Sequence, residues 1–115
     1  MLFSSGGNTE RLYIDTNGKI FMNEGVPFSW TDSSHNVSAE IYGDSSDNLV
    51  FRNTSSKAER LRIASAGQLG IGGANYGTDG QLLTSTGASS APAWEDAPSS
   101  GISTGKAIAM AIVFG

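Results

Sequence analysis

The chain has 115 residues, 38% of them apolar, with seven Lys and Arg against eleven Asp and Glu, one His and no Cys. A net charge of −4 argues against a nucleic-acid surface, which needs clustered cations to neutralise phosphates, and without Cys there is neither a disulfide framework nor a thiolate metal site. With Gly at 15 positions and Ser, Thr, Asn and Ala filling much of the rest, the chain reads as turn-dense β structure closing at most one modest domain.

From the N-terminus, MLFSSGGN carries no basic segment and no apolar run of useful length, so no signal peptide is expected. Residues 9–25, TERLYIDTNGKIFMNEG, then recur as AERLRIASAGQLGIGGA over 58–74. The two copies share Glu10/Glu59, Arg11/Arg60, Leu12/Leu61, Ile14/Ile63 and Gly18/Gly67. Upstream the echo continues with one residue of slippage, LF at 2–3 matching VF at 50–51. In the first copy Leu12–Ile14 and Ile20–Met22 flank Asp15–Lys19. Asn17-Gly18 between apolar runs predicts a hairpin, because both residue types tolerate positive φ, and Ala66-Gly67 fills the same frame in the second copy as weaker turn chemistry. Between the copies lie Val26–Trp30, a polar stretch Thr31–Asn36, and a further hairpin Val37–Arg52 turning through GDSSDN. No apolar spacing of a helix occurs, and short strands at Gln81–Thr84 and Ala91–Trp94 follow among Gly and Ser.

Two stretches carry a family resemblance. ERLRIASAGQLGIGG at 59–73 resembles a repeat common in bacteriophage tail fibres and related virion appendages, with 9–22 a looser copy. GTDGQLLTSTGASSAPAW at 77–94 resembles a second repeat of the same proteins, through Gly77, Gly80, Gln81, Leu83, Thr84, Ser85, Gly87, Pro92 and Trp94. The resemblance implies an all-β, intertwined homotrimeric fibre or β-prism that works as a noncatalytic virion subunit, assembled in the host cytoplasm and possessing no cofactor. It implies adhesion to a host-surface glycan as an added role. A head-fibre or decoration protein, or a small carbohydrate-binding module, is the alternative. The corresponding organisation is a hairpin-repeat region over 1–74, with copies 1–25 and 50–74 and a connecting hairpin 37–52. A fibre-type repeat over 75–96, a linker over 97–104 and an apolar strand over 105–115 complete it.

Chemical motifs are weak. GISTGKA at 101–107 has three residues where a phosphate loop has four, and Ala107 replaces the hydroxyl residue. GIGGAN at 70–75 puts Asn75 where a dinucleotide fingerprint needs Gly. His35 beside Asp32, Ser33 and Ser34 reads as a loop histidine rather than a triad member. Asp44, Asp47 and Asn48 match no calcium-loop spacing and read as a solvated turn. Adjacent Glu95 and Asp96 point to opposite faces of a strand, which suits no glycosidase pair. Glu10, Arg11, Glu59 and Arg60, recurring in both copies, are expected to fix register. Trp30, Tyr42 and Tyr76 are the candidate glycan platforms. The final GKAIAMAIVFG alternates Ile108, Met110, Ile112 and Phe114 with small residues, so it is expected to be a strand buried on both faces, adding to another subunit or a second virion protein. Its apolar run is too short to span a membrane.

Overall fold

Among the described residues, ten short strands separated by turns account for the regular structure. The structure, a computed structural model, describes residues 2–4 and 10–99; the expected strand 105–115, with Ile108, Met110, Ile112 and Phe114, lies outside the described residues, as does the end of the expected linker. The strands are β1 (Leu2–Ser4), β2 (Glu10–Ile14), β3 (Ile20–Met22), β4 (Phe28–Thr31), β5 (Val37–Gly43), β6 (Leu49–Asn53), β7 (Ala58–Ile63), β8 (Leu69–Ile71), β9 (Gln81–Thr84) and β10 (Ala93–Asp96). All pairings are antiparallel. The described residues are all β and contain no helix, hence none long and apolar enough to cross a membrane.

Four of the turns share one construction. In Asp15–Lys19, Asp32–Asn36, Asp44–Asn48 and Ala64–Gln68 the first residue's N–H donates to the carbonyl of the fifth, and the fourth residue's N–H donates back to the first carbonyl, at 2.8–3.1 Å. The fourth residue takes a positive φ in each: Gly18 at 81°, His35 at 65°, Asp47 at 59° and Gly67 at 91°. This is the three-residue hairpin loop with a left-handed last residue. The hairpin expected across Asp15–Lys19 is present; within it Gly18 takes the positive φ, and Asp15 organises the turn. Its carboxylate accepts the N–H groups of Asn17 and Lys19 at 2.8 and 2.9 Å, a side-chain bracket that Asp32 and Asp44 repeat in their own turns. The same bracket turns Thr31–Asn36 into the β4–β5 hairpin.

The strands form three sheets, β1-β2-β3, β4-β5-β6-β7-β8 and β9-β10, and every extensive strand contact lies within one sheet. The repeat is visible in their register. Phe3 pairs with Leu12 as Phe51 pairs with Leu61, and in both copies the next step skips a residue, so that Ser4 faces Glu10 and Arg52 faces Glu59. Arg11 and Arg60 are thus the extra residues of two equivalent β-bulges, and each bulge carbonyl accepts the N–H of the residue just beyond the hairpin, Asn23 at 3.1 Å and Gly72 at 3.0 Å. Because both copies carry the bulge, the one-residue slippage falls in the connection before it, five residues between Ser4 and Glu10 against six between Arg52 and Glu59.

One apolar side chain, Val50, is buried among the described residues. Cα atoms span 79 × 35 × 21 Å, with a radius of gyration of 22.8 Å, against about 13 Å for a compact domain of this length.

Candidate functional site

Because successive side chains alternate across a strand, register assigns every residue of the five-stranded sheet to one of two faces. On the first, Phe28, Ile41, Phe51, Leu61 and Ile71 form one row from edge to edge, with Leu49, Ile63 and Leu69 in a second row beside it. On the other face lie Ser29, Glu40, Arg52 and Glu59, then Tyr42, Val50, Arg62 and Gly70. The polar face is the buried one. Glu40 is 3% exposed, while Phe28, Leu49, Ile63 and Leu69 are all exposed.

The polar face satisfies itself. Arg52 pairs through Nε with Glu40 Oε2, Ser29 Oγ donates to Glu40 Oε1 at 3.2 Å, and Lys57 Nζ lies 3.8 Å from the same oxygen. Burial pushes the Glu40 carboxyl up, but the hydrogen bond and charge of Arg52, with Ser29 and Lys57, outweigh it and hold the pKa below its ordinary value. The Arg52 guanidinium also covers the Tyr42 ring, 4.4 Å from its centroid. Next to it Glu59 receives both Nε and Nη2 of Arg62, the latter at 2.7 Å; Glu59 first and Tyr76 second raise the Arg62 pKa. Val50, the buried apolar side chain, shares this face and lies between Tyr42 and Arg62 in the register.

Turns join this face at its end. Asn48, 8% exposed, donates to both Asp44 carboxylate oxygens at 3.0 and 2.9 Å and accepts the Ser65 N–H at 3.1 Å, coupling two hairpin turns. Asn48's side-chain bond first, then the Ser46 and Asn48 backbone groups, lower the Asp44 pKa. Asp32 is lowered likewise, chiefly by the Asn36 N–H.

The apolar face ends in a row of Trp30, Ala39 and Asn53. Arg60, the bulge residue, joins it by donating from Nε to Asn53 Oδ1 at 2.7 Å. Trp30, Ala39, Ile41, Phe51, Asn53 and Arg60 line a shallow depression of about 200 Å³ there, and Phe28 meets Trp30 edge-on at 5.1 Å. The N-terminal sheet repeats the apolar arrangement, since Leu12 faces Met22 and Ile14 faces Ile20 where Leu61 faces Ile71 and Ile63 faces Leu69. Its other face stacks Tyr13 on Phe21 at 4.6 Å.

The candidate residues divide accordingly. Trp30 stands on the apolar face, whereas Tyr42 lies on the polar face and Tyr76 packs beneath Gly70 on that side, so the three rings form no common platform. Glu59 pairs with Arg62 and not with Arg60. His35 occupies a left-handed turn position, and the neighbouring Asp32 is engaged by backbone N–H groups. Among the described residues no three His, Asp or Glu side chains gather as a metal site. Sequence reading passed over Glu40, Arg52 and Arg62; the available signal was a single acid inside the apolar strand Val37–Gly43 and basic residues on the two strands after it. Over residues 75–96, a Cβ on Gly77 (φ 71°) would sit 2.8 Å from Trp94 Cγ. The Trp94 indole donates to the Asn75 carbonyl at 3.1 Å, and Gln81 bridges the Thr78 N–H and Asp96. Gly77 thus packs against Trp94, while Gln81 ties the Thr78 turn to the end of β10.

No family model matches the chain, and neither a curated protein nor a solved structure does.

Proposed function

We propose that this chain is a noncatalytic structural subunit of a bacteriophage virion appendage, of the tail-fibre kind, working as a homotrimer in the virion. The observation that supports the reading best is that the described residues bury a single apolar side chain, Val50, while Phe28, Leu49, Ile63 and Leu69 stand exposed on one sheet face beside half-buried Ile41, Phe51, Leu61 and Ile71. A domain whose stability rests on apolar burial needs that surface covered, and stacked repeats or neighbouring subunits cover it in proteins built this way. The elongated outline and the tandem units agree with an axial assembly. The two fibre-type sequence repeats supply the virion context. In this reading Glu10-Arg11 and Glu59-Arg60 set register, each Arg supplying the bulge that bends its strand, and residues 105–115 add to a second subunit or another virion protein.

Light scattering on the purified chain at micromolar concentration tests the assembly, and antibody labelling of particles tests the location. A trimer found on virions agrees with the reading; a stable monomer, or particles that lack the chain, overturns it.

A further inference from the structure

We infer that Asn17 is a site of spontaneous covalent modification, deamidation through the backbone nitrogen of Gly18, and that the Asp15 turn sets how fast it proceeds.

The reaction needs a backbone nitrogen that can reach the side-chain amide of the residue before it. Of the seven Asn in the chain only Asn17 precedes Gly, which has no Cβ to obstruct the approach. Placement in the fold adds to this. Asn17 and Gly18 are both exposed, and a Cβ on Gly18 would meet nothing within 4 Å, so a ring closed there has room. Other asparagines are held or obstructed: the side chains of Asn23, Asn36, Asn48 and Asn53 each hold a hydrogen bond, and Asn75 is followed by the bulky Tyr76. Among the described residues Asn17 is bonded through its backbone N–H only.

The step balances without an oxidant or reductant. Gly18 N gives its proton to solvent and attacks Asn17 Cγ; the N–Cγ bond forms, the Cγ–Nδ2 bond breaks, and the amide leaves as ammonia after taking up a proton. Water then opens the resulting succinimide at either carbonyl, giving aspartate or isoaspartate.

The turn opposes the attack. Gly18 N–H donates to the Asp15 carbonyl at 3.1 Å, and the Asp15 carboxylate holds the N–H groups of Asn17 and Lys19 on either side. The nitrogen is released when the end of the hairpin opens, a local event with its own equilibrium. Either product then works against the turn. A new carboxylate stands close to that of Asp15, and isoaspartate routes the main chain through the former side chain, lengthening the loop that sets the pairing of Ile14 with Ile20.

The test incubates the full chain in mildly alkaline buffer, with and without urea, and follows each Asn by anion exchange and peptide mapping. Product should accumulate at position 17 ahead of every other Asn, adding one negative charge to the formal −4, and its loss is expected in Asn17→Gln. Asp15→Ala should speed conversion by on the order of tenfold in buffer, the effect of two lost hydrogen bonds on an opening equilibrium, with the difference gone in urea. Asp44→Ala, which loosens a different turn, should leave the rate at 17 unchanged. Conversion at 17 no faster than at another Asn, a rate indifferent to Asp15→Ala, or equal acceleration by Asp44→Ala overturns the inference.

Discussion

Removing the two partners of the buried ion pair should have unequal costs. Glu40 is 3% exposed and its partner Arg52 is 23% exposed, so Arg52→Ala leaves a carboxylate with nowhere to find water, while Glu40→Ala leaves a guanidinium that still reaches solvent and the Tyr42 ring. Losing one partner of a fully buried pair costs about 3–5 kcal/mol. Lys57 remains 3.8 Å from Glu40 but is 49% exposed, and such a pair contributes less than about 1 kcal/mol. We therefore expect about 2–4 kcal/mol for Arg52→Ala and about 1–2 kcal/mol for Glu40→Ala. Urea unfolding followed by circular dichroism, at one fixed protein concentration because assembly contributes to apparent stability, measures both. The pH dependence adds a signature. In the wild type the Glu40 pKa is lowered from 4.5, so its contribution is present above about pH 4.5 and lost as pH falls through the folded value. In Arg52→Ala the unpaired carboxyl shifts upward instead, so the deficit relative to wild type should shrink on acidification. Equal costs for the two variants, or a deficit indifferent to pH, would refute the picture of a self-covered polar face.

Other consequences are simpler. Gly77→Ala sets a Cβ against the Trp94 ring in a left-handed conformation; it should cost at least about 1–2 kcal/mol and shift the Trp94 emission, read in a Trp30→Phe background. Thr54 holds φ at 71°, unfavourable for a β-branched residue, so Thr54→Gly should raise the melting temperature, with a gain of about 1 kcal/mol. Asp44→Ala removes the acceptor of Ser46 and Asn48. It should destabilise the β5–β6 hairpin near neutral pH and converge on wild type as pH falls through the lowered folded pKa, which hydrogen exchange of the Asn48 amide would follow.

Local pattern made part of this molecule legible. Short apolar runs at Leu12–Ile14 and Ile20–Met22 on either side of a turn place their strands, and Gly18 and Gly67 mark the left-handed turn positions because no Cβ opposes positive φ there. The turn at Asp32–Asn36 was harder to read, since His35 takes the position that glycine announces elsewhere and the carboxylate of Asp32 does the organising. Glu40 was illegible for another reason. Whether an acid within an apolar strand faces water or an Arg depends on the register of the next strand, and here Glu40 lies directly opposite Arg52. The apolar row has the same character: its five members come from five strands, and only pairing register shows that they share a face. Trp30 and Tyr42 look like partners in a list of aromatics, yet on a strand pair with this register they belong to opposite surfaces.

Sedimentation equilibrium of the full chain at micromolar concentration addresses the central claim most directly, because it weighs the assembly without reference to any ligand or host. The account predicts a species of three times the 11.9 kDa chain mass that retains its β signal. A folded species of 11.9 kDa, with Phe28, Leu49 and Leu69 left in water, would contradict it.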